Sequence, residues 1–165
     1  MAAGYTLAAM PRTRFAVALT VLGSILSLSL SACAPAPPER TEYEEHLRAP
    51  EEAPQFYPDG SASENLPYFT EVLRQFSVGT AEVRGAPIVD ALAAAGFDKA
   101  SMQVSFDESK TNLVADSIYA SVRIGDQCLI GQVVVEDRSF VAEHAAAVGP
   151  NKDICLIGQT RPIDW

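Results

Sequence analysis

Two stretches of alternating apolar and polar residues, separated by only two residues, constrain the fold of this chain more than any other feature. Residues 118–124 read IYASVRI, and after Gly125 and Asp126 the chain resumes as QCLIGQVVV at residues 127–135. A period of two is typical of strands, and a two-residue loop that begins with glycine indicates a hairpin with a type II′ turn. In the register that this loop sets, three apolar pairs share one face: Val122 with Leu129, Ala120 with Gly131, and Ile118 with Val133.

Two helices and a further strand are predicted in front of this hairpin. Ser61 and Glu64 have the spacing of a capping box, and the apolar residues that follow recur at helical spacing over residues 63–76. A second, shorter helix is predicted from about residue 86 to Gly96, and a first strand over residues 102–106. The pattern therefore predicts an α+β domain, in which two helices pack on a three- to four-stranded, mainly antiparallel sheet whose strand order stays open.

The hairpin face that points away from the predicted helices has a mixed character. It carries six residues: Tyr119, Ser121, Arg123, Cys128, Ile130 and Gln132. Such a face is either covered by the C-terminal segment or open to a partner. The chain ends in Arg161-Pro-Ile-Asp-Trp165, and the single tryptophan indicates that this tail docks, because a terminal residue frays unless it is tied down. A recognition tail is the alternative, and the candidate interaction surface comprises Tyr119, Arg123, Arg161 and Trp165.

The N-terminal residues have the organisation of a secretory signal. An uncharged apolar run at residues 15–30 follows Arg12 and Arg14, and it is shorter than the roughly 20 residues that a spanning helix needs. Small residues follow the run in place of a basic flank. Either Met1 or Met10 is compatible with this organisation as the start of the chain.

The apolar run ends in Leu30-Ser31-Ala32-Cys33, which resembles the bacterial lipobox. We therefore expect residues 1–32 to be a lipoprotein signal peptide and Cys33 to be lipidated. Acyl chains on Cys33 would anchor the protein in the cell membrane, on the extracytoplasmic face. A secreted protein cut near Ala32 or Ala34, or a plain transmembrane anchor, are the alternatives.

A spacer is predicted between Cys33 and the domain. Residues 34–60 contain six of the eleven prolines and carry seven acidic residues against two arginines. Proline removes backbone donors and the acidic residues repel one another, so this composition favours a disordered linker. The predicted organisation is thus a signal peptide at residues 1–32, a lipidated cysteine with its linker at residues 33–60, and the domain at residues 61–165.

The charge of the chain excludes one class of partner. Without the leader, 10 basic residues remain against 21 acidic ones. Nucleic-acid binding depends on the neutralisation of phosphates, so no nucleic-acid partner is expected. The membrane is expected to be contacted through the lipid anchor, and an envelope protein is the candidate partner.

Two cysteines remain in the domain once Cys33 is assigned to the lipid. They lie in a repeated heptapeptide, because residues 126–132 read DQCLIGQ and residues 153–159 read DICLIGQ. The repeat indicates two strands with equivalent roles or a short duplication. An even pair in an exported domain favours a disulfide between Cys128 and Cys155, with free thiols or a metal site as alternatives.

The sequence contains no recognisable set of catalytic residues, so no catalytic residue, cofactor or metal site is predicted. The sequence contains no G-x-S-x-G, P-loop or G-x-G-x-x-G pattern. His144, in VAEHAAAV, is expected on the surface of a short helix or loop. Four acidic residues fall near predicted strand ends, and they are most simply interpreted as turn-forming or solvent-exposed residues: Asp107, Glu108, Asp116 and Asp126.

Three segments carry a family resemblance. GFDKASMQVSFD, ADSIYASVRIGDQCLIGQ and CLIGQTRPIDW resemble a family of small actinobacterial lipoproteins that share a domain of unknown function, over about residues 88–165. The resemblance implies an α+β domain with the two cysteines bridged, and it transfers no active site.

Three hypotheses on function follow from these observations. The first is a non-catalytic, membrane-tethered binding or interaction module of the cell envelope, motivated by the anchor, the linker and the missing catalytic pattern. The second is an envelope hydrolase or small-ligand carrier that uses acidic residues near strand ends. The third is a structural spacer. The chain is thus more simply interpreted as a binding protein than as an enzyme.

Overall fold

The computed structural model describes residues 47–165. The predictions for the signal peptide, for Cys33 and for the first part of the linker lie outside the described residues. Within residues 47–165, no helix is long and apolar enough to cross a membrane.

Two helices and a four-stranded sheet form the domain, which confirms the predicted α+β class. The helices are α1, Ala62–Val78, and α2, Gly85–Ala94, and a short 3₁₀ helix follows at Lys99–Ser101. The strands are β1, Met102–Val104, β2, Ser117–Ile124, β3, Gln127–Val134, and β4, Phe140–Ala146. All neighbouring strands are antiparallel, and the order β1-β2-β3-β4 follows the chain.

The start of α1 is fixed by the predicted capping box. The backbone N–H of Glu64 donates to Ser61 Oγ, and the Ser61 N–H donates to Glu64 Oε2 at 2.9 Å. The reciprocal bonds satisfy two backbone donors that a helix start otherwise leaves unpaired. They also lower the pKa of Glu64, because hydrogen bonds from the Ser61 backbone and side chain stabilise the carboxylate. The helix therefore begins one residue before the predicted start.

The predicted hairpin register is present in the sheet. Val122 pairs with Leu129, Ala120 with Gly131, and Ile118 with Val133. Gly125 has a φ of 63°, as the first position of a type II′ turn requires. All six paired residues are buried, and α1 packs on their face so closely that a Cβ on Gly131 would lie 2.5 Å from Leu73 Cδ1. The core thus lies between the helices and this face of the sheet.

The segment in front of α1 contacts the domain, although it falls in the predicted linker. The ring of Phe56 packs edge-on against Phe97 with 4.9 Å between the centroids. The Tyr57 N–H donates to the buried Asn65 side chain at 2.9 Å, and the Asn65 amide donates back to Tyr57 O at 2.8 Å. Aromatic burial and a paired amide therefore hold part of residues 47–60, whose composition had favoured disorder.

In the C-terminal half, the predicted position of His144 is wrong, and one of the two interpretations of the repeat is excluded. His144 lies in β4, not in a helix or loop, because β4 pairs with β3 and packs under α1. The two copies of the repeated heptapeptide are not equivalent strands. The first forms most of β3, whereas the second forms bends, with Gly158 at a φ of 122° and Ile157 91% exposed.

Candidate interaction surface

A disulfide joins the two copies of the repeat. Cys128, in the middle of the sheet, is bonded to Cys155 in the C-terminal segment, and both are buried. With Ala147 and the partly buried Ile130 they form a small second apolar cluster on the sheet face opposite the helices, here called the outer face. The bond therefore holds the C-terminal segment against this end of the outer face.

Gln103 holds the same segment from β1. Its side chain points to the outer face, between the buried Met102 and Val104 on the other side of the strand. The Gln103 amide nitrogen donates to Asp153 O at 2.8 Å, and its oxygen accepts the N–H groups of Cys155 at 2.9 Å and Leu156 at 3.0 Å. One side chain thus satisfies three backbone groups of a segment whose other backbone pairing is an isolated bridge between Ile154 and Val148.

The tail closes the free edge of β1. The Arg161 backbone N–H donates to Val104 O at 3.0 Å, which makes an isolated antiparallel bridge. The Arg161 guanidinium donates to Asp107 Oδ2 at 2.8 Å and lies 4.7 Å from the centroid of the Trp165 ring. Arg161 is therefore a structural anchor of the tail, and it contacts one other member of the predicted surface.

Asp107 connects the tail to helix α2. Its second carboxylate oxygen accepts the N–H of Gly85 at 2.6 Å, at the start of a helix whose N-cap residue Arg84 makes no side-chain cap. A helix N-terminus attracts negative charge and has unpaired N–H groups. Glycine is required at position 85, because a Cβ there would lie 2.8 Å from Val104 Cγ2.

Trp165 docks against α2 and the 3₁₀ helix, as its large ring in the C-terminal tail predicts. The indole N–H donates to Asp90 Oδ1 at 3.1 Å. Lys99 Nζ lies 5.1 Å from the ring centroid and donates to both Asp90 and Trp165 O. The hydrogen bond from Lys99, with a smaller contribution from Trp165, lowers the pKa of Asp90.

The other two members of the predicted surface lie on the outer face of β2. Arg123 donates to Gly125 O at 3.1 Å, close to the hairpin turn. Tyr119 lies in a cross-strand row with Gln132 and Val141, and Tyr119 and Val141 are 41% and 53% exposed. The structure therefore brings Arg161 and Trp165 together, and it places Tyr119 and Arg123 at separate points of the outer face.

A cavity of about 320 Å³ at the start of α2 is lined by two of the four acidic residues near strand ends, Asp107 and Glu108. Its charged lining is Glu82, Arg84, Asp107, Glu108, Glu136 and Arg138. Arg84 and Glu82 form an ion pair at 3.2 Å, and Asp107 is engaged by Gly85 and Arg161. Within residues 47–165, no group of three His, Cys, Asp or Glu side chains could hold a metal ion.

Sequence reasoning missed Gln103 and the double role of Asp107. Gln103 reads as an ordinary outward residue of an alternating strand, and Asp107 as a turn residue. Their partners lie more than twenty residues away in the chain, so no local pattern indicates them. The available signal was a side-chain amide, which can both donate and accept, on the sheet face that also carries Cys128.

Fold and surface together define a small, disulfide-bonded α+β domain whose C-terminal segment is held on the sheet. A family model for a domain of unknown function, DUF6993, matches residues 73–159, which is more than half of the chain. The chain therefore belongs to this family. The matched residues include both bonded cysteines, Gln103 and Asp107, and they end before Arg161. Neither a curated protein nor a solved structure matches the chain.

Proposed function

We propose that the protein is a membrane-tethered extracytoplasmic lipoprotein of the actinobacterial type, and that its domain is a non-catalytic interaction module of the cell envelope. The tether is supported by the apolar run at residues 15–30 and by the cysteine that directly follows it, Cys33. The disulfide between Cys128 and Cys155 supports export, because such bonds persist in oxidising compartments.

The observation that carries the interaction module is the exposed row on the outer face of the sheet. Tyr119 and Val141 flank Gln132 there, and the helices pack on the opposite face. The C-terminal segment covers the end of this face near Cys128 and leaves the Tyr119 row exposed. Aromatic side chains on a flat, partly apolar surface are the residues that contribute most to protein–protein binding.

The acidic surface restricts the partner. Residues 47–165 carry 17 acidic residues against 9 basic ones. Such a surface repels nucleic acid and anionic lipid headgroups, and it accelerates association with a basic protein. The membrane is accordingly contacted by the acyl chains, and the domain is free to bind an envelope protein.

The tether is tested by the Cys33→Ser variant. Wild-type protein should incorporate a palmitate analogue in cells and sediment with membranes, whereas the variant should lose the label and move to the soluble fraction. A variant that keeps both properties would show that Cys33 is not the anchor.

The interaction surface is tested by in-cell cross-linking of the tagged full-length protein with mass spectrometry of the products. We expect Tyr119→Ala with Arg123→Ala to lose a discrete envelope protein that the wild type captures. Ile157→Ala is the matched control, because Ile157 is 91% exposed in the bent segment and does not belong to the Tyr119 row. Equal capture of abundant proteins by all three forms would contradict the module.

A second set of variants separates binding from tail docking. Arg161→Ala with Trp165→Ala removes contacts that the tail makes with Asp107, Asp90 and Lys99. If only this pair loses the partner while its thermal unfolding is unchanged, the tail is the recognition element and the outer face is not.

A small-ligand carrier is the second candidate, and the cavity of about 320 Å³ with its mixed charged lining favours it. Its polar groups converge from the loop in front of α2, the loop after β1 and the turn after β3, as in many small-molecule sites. Native mass spectrometry of protein isolated from its own envelope should then show a bound small molecule that Arg84→Ala with Glu108→Ala loses.

A further inference from the structure

The two edge strands of the sheet, β1 and β4, differ in whether another described segment of the chain pairs with them. The edge of β1 is closed by the protein itself, because Arg161 donates its backbone N–H to Val104 O. The other edge is β4, which is seven residues long and, among residues 47–165, pairs only with β3. Five of its seven residues are exposed: Val141, Glu143, His144, Ala145 and Ala146. An edge strand presents unpaired backbone groups that another strand can bind.

The hydrogen bonds at both ends of β4 show which backbone groups point outward. Ala147 N–H donates to Asp126 O, and Val134 N–H donates to Ser139 O, both at 2.8 Å. Bonded pairs alternate with non-bonded pairs in an antiparallel ladder, so residues 139, 141, 143, 145 and 147 bond to β3. The backbone N–H and C=O groups of residues 140, 142, 144 and 146 therefore point away from the sheet.

The outward groups of His144 and Ala146 belong to exposed residues, whereas Ala142 is half-buried and Phe140 is buried. No hydrogen bond from another residue in the range 47–165 reaches the outward groups. Natural edges are blunted by proline, lysine, bulges or a covering segment. Here β4 contains neither proline nor lysine, and three of its seven residues are alanine: Ala142, Ala145 and Ala146. Its one formal charge is Glu143, in the middle of the strand.

We propose that an extended segment of a partner protein adds to β4 as an antiparallel fifth strand, with a lysine or arginine opposite Glu143. The main-chain groups at strand spacing define the occupant as extended polypeptide. The side chains of Val141, Glu143 and Ala145 share the outer face and belong to the closely spaced, non-bonded positions of the new pair. The partner segment therefore carries an apolar residue two positions before and two positions after its basic residue.

Charge selects this partner over a second copy of the chain. If two β4 strands met in the register that uses all four outward residues, Glu143 would lie directly opposite Glu143 of the other copy, in a closely spaced pair. Each copy would also bring its excess of acidic residues, 17 against 9 basic residues over residues 47–165. A partner strand with a basic residue opposite Glu143 avoids both the repulsion between the two glutamates and the repulsion between the two acidic surfaces.

The proposal rests on the interaction module and specifies its partner, so its test uses a defined probe. The probe is the labelled peptide STVTKTVTS, whose central lysine and flanking valines share one face in an extended strand, and the acidic counterpart STVTETVTS is its control. Fluorescence anisotropy measures their binding to the full-length protein in detergent micelles. We expect the wild type to bind the lysine peptide roughly tenfold more tightly than the glutamate peptide.

Two variants locate the binding. Glu143→Lys should invert the peptide preference without affecting the fold, since Glu143 is exposed. His144→Pro removes an outward N–H that β3 does not use, and it should weaken binding of the lysine peptide by roughly tenfold. His144→Thr keeps the N–H and is the matched control, which should bind like the wild type.

Hydrogen exchange provides an independent readout. In the free protein the amides of residues 142, 144 and 146 should exchange fast and those of 141, 143 and 145 slowly, and the peptide should slow the first set. Equal binding of the lysine peptide by His144→Pro and His144→Thr would overturn the proposal. Slow exchange of the outward amides without peptide, at a rate that depends on protein concentration, would also overturn it by identifying a second copy on β4.

The cross-linking experiment separates this proposal from the interaction module itself. If His144→Pro still captures the envelope protein and the Tyr119 variant does not, the module stands and the β4 edge is not its site. If the peptide binds as expected but no envelope protein is captured, strand addition stands and the proposed cellular role is wrong.

Discussion

Removal of the disulfide between Cys128 and Cys155 should lower the free energy of unfolding by an amount that depends on the length of the loop that the bond closes. The bond joins residues 27 positions apart, and the closed loop contains all of β4. In the chain-entropy model, the loss of a cross-link over a loop of this length lowers the free energy of unfolding by about 3.5 kcal/mol. Domains of this size are stable by roughly 5–15 kcal/mol, so the loss is a large share of the total.

Urea unfolding followed by far-ultraviolet circular dichroism measures this loss. The variant is Cys128→Ala with Cys155→Ala, compared with the intact pair in a Cys33→Ser background, so that only one disulfide can form. Because Cys128 is fully buried, reduction of the intact protein serves as a control that opens the loop without removing side-chain atoms. A loss below roughly 1 kcal/mol in both forms would refute the reasoning, since the noncovalent contacts of the segment would then suffice.

Three further predictions concern packing and tail docking. Gly131→Ala should lower the free energy of unfolding by roughly 1–3 kcal/mol, because its Cβ would overlap side chains of α1; unchanged thermal unfolding would contradict the packing. Gln103→Ala should speed amide exchange at Cys155 and Leu156, whose N–H groups donate to the Gln103 side chain, and equal rates would exclude this role. The hydrogen bond from Lys99 is the main cause of the lowered pKa of Asp90. The ionised Asp90 therefore stabilises the docked tail at neutral pH, and this stabilisation is lost as the pH falls through the lowered pKa. Fluorescence of Trp165 should report that acid transition in the wild type and not in Asp90→Asn.

The parts of the fold that were predictable are those with a local cause. The capping box at Ser61 and Glu64 and the two-residue loop at Gly125 and Asp126 each determine a structure within a few residues. The loop also fixed the hairpin register, because a shift by one residue would expose the whole apolar set. Helix starts, the hairpin and the buried face therefore followed from the sequence.

The parts that were not predictable depend on distant partners. The alanine-rich segment of β4 has a high helix propensity, yet pairing with β3 and burial of Phe140 under α1 make it a strand. The repeat shows the same dependence, since nearly identical residues form a strand beside β2 and bends where no strand adjoins them. Within the predicted surface, Trp165 docks as expected, while the partners of Arg161 became visible only in three dimensions.

The C-terminal tail determines which edge of the sheet is open to a further strand. The family match ends at residue 159, and the bridge that closes β1 is made by Arg161, beyond the matched part. The covalent bond at Cys155 and the three hydrogen bonds of Gln103 direct the chain to that edge, and Asp107 fixes Arg161 there. Among residues 47–165, the β1 edge is closed and the β4 edge is open, so β4 is the edge at which we propose strand addition.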